Sequence, residues 1–435
     1  MLLRFEVSNH RSILEPVELS MVAVDEDRPS VRKFDLLAER ALAVAGVYGP
    51  NASGKSNVIE ALAWLSMAVA RSLRAWDQFI PRDPFKFGHG PQTPSTYEVE
   101  MVIDGVRYAY RLEVDDAHVL FEGLYSYPER RRRVLFEREG SDIRFRRGLG
   151  ALSGTRELLT STTLALSAAM RFDEPEVQHF ARALAGIGVL GVRRRAPWRR
   201  PFGAGMSGLS ATGRLFDDQG TSLQSSLFDD PDIVQPSPRE SALALLRFAD
   251  LGIDDVQIVD DDIDESSQAP SQVRREPRRQ LRFIHRVLGQ ELPFDLEEES
   301  AGTQTWFALI GPTLNALRSG RILLFDEIDA SLHPRLSARL LELFQDPETN
   351  PYGAQLIFTT HDTSLLNHLN RDEVWLTEKN EGGATTLTAL AEYGGDKVRR
   401  SLNLERAYLQ GRFGAVPELD QFTLRRALGL VSSDA

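Results

Sequence analysis

Gly49-Pro50-Asn51-Ala52-Ser53-Gly54-Lys55-Ser56 sets two glycines, a lysine and a hydroxyl at the spacing G-x-x-x-x-G-K-[ST]. Glycines let a backbone wrap an anion, and successive N–H groups turned inward form a nest for phosphate oxygens. Lys55 is placed to reach the β- and γ-phosphates of a nucleoside triphosphate, and the Ser56 hydroxyl to ligate Mg²⁺. The plain alternative is a glycine turn. It leaves the flanks unexplained: the apolar run Ala41 to Tyr48 reads as a buried strand, and Ser56 to about Leu73 has apolar residues at helical spacing.

A second constellation lies far along the chain. Ile322-Leu323-Leu324-Phe325 runs into Asp326-Glu327. A carboxylate at the end of a buried strand can position Mg²⁺, and its neighbour Glu327 can polarise an attacking water. Alone, Asp326-Glu327 reads equally well as an acidic helix cap; beside a phosphate loop the metal-and-water reading prevails. His361 follows another apolar strand with a polar end, Gln355 to Thr360. A lone histidine is usually structural, but this position would set it beside the γ-phosphate.

The elements that must position these groups follow from periodicity. Residues 1 to about 25 alternate as strands, with Leu3, Phe5 and Val7 expected on one face. Residues 97–103, 106–114 and 119–127 alternate around Asp104-Gly105, a hairpin signal, and predict an antiparallel sheet. The stretch 152–190 reads as helical, 200–240 is rich in Gly, Ser, Asp and Pro and reads as a loop, and 241–253 is helical again. From about 291 the pattern is α/β: a helix from Thr303, a strand at Ile322 to Phe325, a helix from Pro334, and strands at Gln355 to Thr359 and near Glu373 to Thr377. Continuous apolar runs of this kind are strands of a parallel sheet buried on both faces. The segments 1–150 and 291–435 are therefore expected to share one sheet, with 151–290 inserted.

Composition sets bounds. The 435 residues, 42% hydrophobic and 26% charged, fit two or three domains. The absence of cysteine excludes disulfides, thiolate zinc sites and cysteine nucleophiles. The opening MLLRFEVSNHRSI reads as a strand and not a signal peptide, and no run reaches the ~18 apolar residues of a membrane span. A cytoplasmic protein is expected. The net charge of −12 argues against a surface basic throughout, yet Arg130 to Arg133, the run Arg193 to Arg200 around Trp198, and Arg274-Arg275 with Arg278-Arg279 leave nucleic-acid binding open. The plain reading of each is a solvated face. Asp260, Asp261, Asp262, Asp264 and Glu265 read as an acidic loop, since the spacing of a calcium-binding loop is missing.

The order GPNASGKS, ESAGTQ (299–304), ILLFDEIDASLHP (322–334) and IFTTHD (357–362) resembles the ATP-binding-cassette ATPases. Within them it looks closest to the SMC, RecF and OLD-like branch and to AAA-type ATPases of phage-defence operons, such as the RloA, abortive-infection and PARIS groups. The opening Asn9-His10-Arg11-Ser12-Ile13 is similar to the start of that branch. The resemblance implies an α/β fold: a P-loop head with a mixed sheet and an antiparallel subdomain, assembled from the N- and C-terminal segments, with a mainly helical insertion at 151–290. It implies ATP and Mg²⁺ as ligands, with Gly49 to Ser56 and Asn57 around the phosphates, Ser56 and Asp326 on the metal, and Glu327 and His361 as catalytic residues. Arg11 would approach the phosphate or ribose side. Ser300, Gly302, Thr303 and Gln304 would form a signature contacting the γ-phosphate bound by a second copy, and Asp329 would lie in the loop crossing that interface. The glutamine that usually follows the phosphate loop has no clear counterpart; Gln92 is one candidate, and the hairpin region around Thr96 to Glu100 is the alternative.

Three functions compete. The first is an ATP-gated homodimer, or a larger ring or cage, that controls a separate effector of nuclease type, RloB- or TOPRIM-like, in anti-phage defence. The second is a RecF-like DNA-binding ATPase of repair or chromosome maintenance. The third, the ATPase subunit of a membrane transporter, sits poorly with the long middle segment and the Ser-Ala-Gly-Thr-Gln signature.

Overall fold

The computed structural model describes the chain apart from residues 36, 150–151, 153, 193–210, 218–235, 250–251, 262–277, 331, 394–402, 416–427 and 429–435. The arginine–tryptophan run, Arg274-Arg275, the carboxylates of 262–265 and most of 200–240 thus lie outside the described residues. The chain opens with β1 (Leu2–Ser8), β2 (Val17–Ser20) and the wholly buried β3 (Val44–Tyr48), then α1 (Lys55–Ala75). An antiparallel run follows: β4 (Ser95–Ile103), β5 (Val106–Val114), β6 (Val119–Ser126), β7 (Arg133–Glu139) and β8 (Asp142–Phe145). Next come α2 (Thr155–Leu158), α3 (Ala165–Ala169), α4 (Pro175–Ala185), β9 (Gly188–Leu190), α5 (Pro238–Phe248), β10 (Ile253–Asp261), β11 (Arg278–Val287) and β12 (Gln290–Asp295). The last third holds α6 (Ala301–Ser319), β13 (Ile322–Phe325), α7 (Pro334–Gln345), β14 (Gln355–Thr359), β15 (Val374–Lys379), β16 (Thr385–Ala389) and α8 (Leu404–Leu409).

Among the described residues the strands form three sheets. The six-stranded one, ordered β16-β15-β3-β14-β13-β9, is parallel except for β16. β3, from the first third, lies between β15 and β14 of the last, so the apolar runs at 41–48, 355–359 and 322–325 are neighbours. Parallel strands end on one edge, and ligands of such sheets gather beyond their carboxyl ends. The phosphate loop, Asp326 and His361 all follow those ends. A seven-stranded antiparallel sheet, β2-β1-β4-β5-β6-β7-β8, covers α1 from the other side, and β10–β12 make a third sheet.

Three features depart from the sequence reading. A bulge between Leu2 and Arg4 shifts the β1 register, so Leu2, not Leu3, joins Phe5 and Val7 in the main core; Leu3 packs oppositely with Ala41 and Val102. The helical stretch 152–190 ends in β9, which extends the parallel sheet beside β13. Its three residues are too few to show a period. Segment 151–290 also holds β10 and β11, and Asp260 and Asp261, read as loop, are paired in β10 with Arg279 and Arg278. No helix among the described residues is long and apolar enough to cross a membrane.

Two buried polar side chains lock the layers. Gln355 accepts from Leu2 N and donates to Leu2 O (3.0 Å) and Leu42 O (2.9 Å), tying the two large sheets together. Glu122, fully buried on β6, accepts from Ala165 N (2.6 Å), Leu166 N (2.8 Å) and the Tyr110 hydroxyl (2.9 Å), which caps α3. Arg138, equally buried, sits 3.9 Å from Glu122 and donates to the carbonyls of Thr160 and Thr163. Replacing Glu122 by Leu leaves an uncompensated guanidinium and two unmet amides. Denaturant titration is expected to show a loss of about 3–5 kcal/mol, whereas exposed Val259→Thr should change stability by less than about 0.5 kcal/mol.

Candidate functional site

The phosphate loop leaves β3 with backbone angles that few side chains tolerate. Gly49 has φ 150°, and a Cβ there would lie 2.4 Å from the Thr377 hydroxyl. Gly54 has φ 107° and packs against Thr385 and Ser12. Ala52, at φ 64°, completes the inward turn. A loop of this shape cannot hold itself, and hydroxyls from other elements brace it. Thr377 Oγ1 donates to Tyr48 O (3.1 Å) and pairs with Ser53 Oγ (2.6 Å), while Thr385 Oγ1 donates to Ser53 O (2.7 Å). Ser12 Oγ meets Thr385 Oγ1 at 2.7 Å and accepts from Asn57 Nδ2 at 2.5 Å.

Gly54 begins α1 without a side-chain cap, and no acidic residue occupies the first turn. No acidic side chain therefore neutralises the positive end of the helix, as an anion site requires, although Asn57 N donates to Gly54 O (3.0 Å). Lys55, 6% exposed, donates to the carbonyls of Gly49 (2.9 Å) and Pro50 (3.1 Å) and lies 3.5 Å from His361 Nδ1. Burial pulls its pKa down to about 8, against the opposing attraction of Asp329, Asp326 and Glu327. Its ammonium is folded onto its own loop, where phosphate oxygens are better acceptors.

Asp326 is buried at the end of β13, and Thr359 Oγ1 donates to its Oδ1 (2.6 Å). Thr359 Oγ1 also accepts from Glu327 N (2.8 Å), so one hydroxyl of β14 fixes both acidic residues. Glu327 sits at φ 56°, a left-handed turn that reverses the chain at the sheet edge. Among the described residues its carboxylate has no hydrogen bond or ion pair, which leaves it available to water. Asp329 accepts from Thr360 Oγ1 (2.7 Å) and from His361 N (3.2 Å). It links the turn after β13 to the one carrying His361. The second Asp326 oxygen and the half-buried Ser56 hydroxyl are oxygen donors of the kind Mg²⁺ takes, beside a loop built for phosphate. The residues fit both groups.

The remaining expected residues stand apart. Ser300 caps α6, accepting from Thr303 N (3.1 Å) and meeting Thr303 Oγ1 at 2.9 Å; Gln304 Nε2 donates to Glu299 O (2.9 Å). No hydrogen bond or ion pair joins residues 300–304 to the phosphate loop among the described residues. Behind them, the Thr212 hydroxyl accepts from Gly311 N (2.8 Å) and donates to Phe307 O (2.7 Å), bridging the helix just before Pro312. Arg11, expected at the nucleotide, forms ion pairs with Glu60 and Asp83; Ser12 is the member of that motif that touches the loop. Gln92 is exposed in the turn Gly90–Gln92, and no hydrogen bond or ion pair ties it to Asp326 or the loop among the described residues. Sequence reasoning missed Thr359, Thr377 and Thr385. Only Thr359 carried a signal, the polar end of an apolar strand.

A family model described as "AAA domain, putative AbiEii toxin, Type IV TA system" matches residues 44–177 and 220–367. No curated protein matches the chain. Among solved structures it is similar to an SMC head bound to the C-terminal winged-helix domain of ScpA, at TM-score 0.42 and 12% identity, over 89% of this chain and 97% of that one. The SMC head domain from Thermotoga maritima gives TM-score 0.37 at 12% identity, over 89% and 98%. An Smc head with an extended coiled coil, bound to the C-terminal domain of ScpA derived from Pyrococcus furiosus, gives 0.39 at 12%, over 90% and 97%.

The Lys55 ammonium ties nucleotide affinity to pH. A bound phosphate raises its pKa from about 8, so binding takes up a proton above that value and none below it. Titration of Mg·ATP binding is expected to give constant affinity from pH 7 to 8 and a fall of up to about tenfold per unit above it. A flat profile from pH 8 to 10 would contradict this.

Proposed function

The chain belongs to the family described as "AAA domain, putative AbiEii toxin, Type IV TA system", and from that premise we propose that it is a P-loop ATPase of the ABC/SMC-like class whose two copies close head-to-head on ATP. The observation that carries the reading is the convergence of Lys55, Asp326, Glu327, Asp329 and His361 at one sheet edge beside an uncapped helix. Each phosphate loop would receive its second wall from the other copy's Ser300, Gly302, Thr303 and Gln304. A γ-phosphate in transit needs donors and dipoles on the side opposite its loop. Ser300 and Ala301 are exposed at the start of α6 and offer a helix N-terminus for that purpose.

Within this arrangement the loop amides and Lys55 bind the β- and γ-phosphates. Glu327 takes a proton from the attacking water, and His361, fixed through its backbone by Asp329, contacts the γ-phosphate side. Mg²⁺, held by Ser56 and Asp326, would supply neutralisation of phosphate charge. Closure with ATP and loosening after hydrolysis form a switch whose two states a partner can read. The toxin description of the family supports a role in defence, in which this switch governs a separate effector, and the RloA, abortive-infection and PARIS ATPases are the branch we favour.

Glu327→Gln keeps the shape of the site and removes the base. It is expected to slow hydrolysis by about 10²- to 10⁴-fold and to accumulate a dimer on light scattering with Mg·ATP. Hydrolysis at the wild-type rate would remove Glu327 from this role.

A further inference from the structure

The turn joining β11 to β12 is built around Leu288 and Gly289, both at positive φ (52° and 79°). Two-residue turns of this kind favour Asn, Asp or Gly at the first position, because a side chain is strained there. Here the position carries leucine, 100% exposed, flanked by Val287 (66%) and Leu292 (56%). The hairpin is fixed to the signature helix. Leu292 pairs with His285, whose Nε2 meets Glu299 Oε1 at 2.5 Å, one residue before Ser300.

A groove of about 1070 Å³ runs beside α1, from Ser12 and Asn57 at the phosphate loop to Arg71. Met67, Phe79, Phe85 and Phe87 line it, with Phe79 57% and Phe87 71% exposed. Arg71 and Lys86 stand on its walls, both exposed, with no carboxylate at ion-pair distance among the described residues. The hairpin side carries the opposite charge: Glu297 and Glu298 are exposed between β12 and Ser300.

We propose that the Val287–Leu292 turn of a second copy seats in this groove when two copies close over nucleotide. The inference rests on the reading that Ser300 of one copy faces the phosphate loop of the other. Under a two-fold axis each contact is made twice, so seating Ser300 at that loop brings the hairpin beside Ser300 and the groove beside the loop to the same interface. A protruding apolar turn stands on one side and an apolar groove opens on the other. The contact is made twice, buries the strained leucine, and sets Glu297 and Glu298 towards Arg71 and Lys86. It makes closure depend on residues outside the nucleotide site.

The chain contains no cysteine, so introduced thiols are the only ones present. Full-length Leu288→Cys and Phe87→Cys chains, each also carrying Glu327→Gln, are mixed and treated with a short bismaleimide, with and without Mg·ATP. Asn51→Cys mixed with Ala301→Cys reports closure of loop on signature. Cross-linking of both pairs only with Mg·ATP is the expected result. Cross-linking of the Asn51–Ala301 pair alone overturns the docking and leaves the composite site standing. Failure of that pair removes the composite site and the docking with it, and a Leu288–Phe87 product that ignores nucleotide overturns the proposal too. As a second reading, Leu288→Asp should weaken Mg·ATP-dependent dimerisation at least tenfold while ATP affinity of the single chain stays as in wild type; unchanged dimerisation would sink the idea.

Discussion

The structure depends on holding a row of backbone amides in a shape the backbone does not prefer. The phosphate loop combines two glycines at positive φ with Ala52 in the left-handed region, a shape that turns backbone N–H groups towards a common centre. A nest of aligned dipoles relaxes unless something outside it resists. Here the resistance comes from four hydroxyls and an amide: Ser12, Ser53, Thr377, Thr385 and Asn57. They bring the first strand region, α1 and the β15–β16 pair to one place. Residues more than three hundred positions apart in sequence thus share the task of pre-organising one loop.

The same economy governs the acidic half. Thr359 fixes Asp326 through a side chain and Glu327 through a backbone amide, while Asp329 holds the His361 turn. Three carboxylates near one another would repel, but Lys55 lies among them and each has a different fixed role. Thr359 holds Asp326, Glu327 has no hydrogen bond or ion pair among the described residues, and Asp329 is engaged by Thr360 and His361. Asp329, expected in a loop crossing between copies, has two donors of its own chain in reach.

The local half of this site was legible in the sequence. The phosphate loop, the strands ending at Phe325 and Thr359, and the helices after them follow from spacing and period alone, because each is decided by neighbours within a dozen residues. The parallel sheet was legible too, since only burial on both faces explains runs like Ile322 to Phe325. What was not legible is long-range or sub-periodic. Thr377 and Thr385 look like ordinary strand threonines until β15 is laid beside β3. The bulge that exchanges Leu2 for Leu3 is a one-residue register matter, and β9 is too short to announce itself. Arg11 was assigned by resemblance; in this chain it pairs with Glu60 and Asp83, carboxylates that no motif predicts.

The central claim is that phosphate loop and signature act across two copies, and complementation in trans tests it most directly. A Lys55→Ala chain and a Gly302→Asp chain are each expected to lack ATP hydrolysis. Mixed in equal amounts, they form heterodimers with one intact composite site, and steady-state hydrolysis should return to about a quarter of the wild-type rate, as two-fold pairing requires. Hydrolysis by the Gly302→Asp chain alone at the wild-type rate, or no recovery on mixing chains that demonstrably associate, would contradict the account.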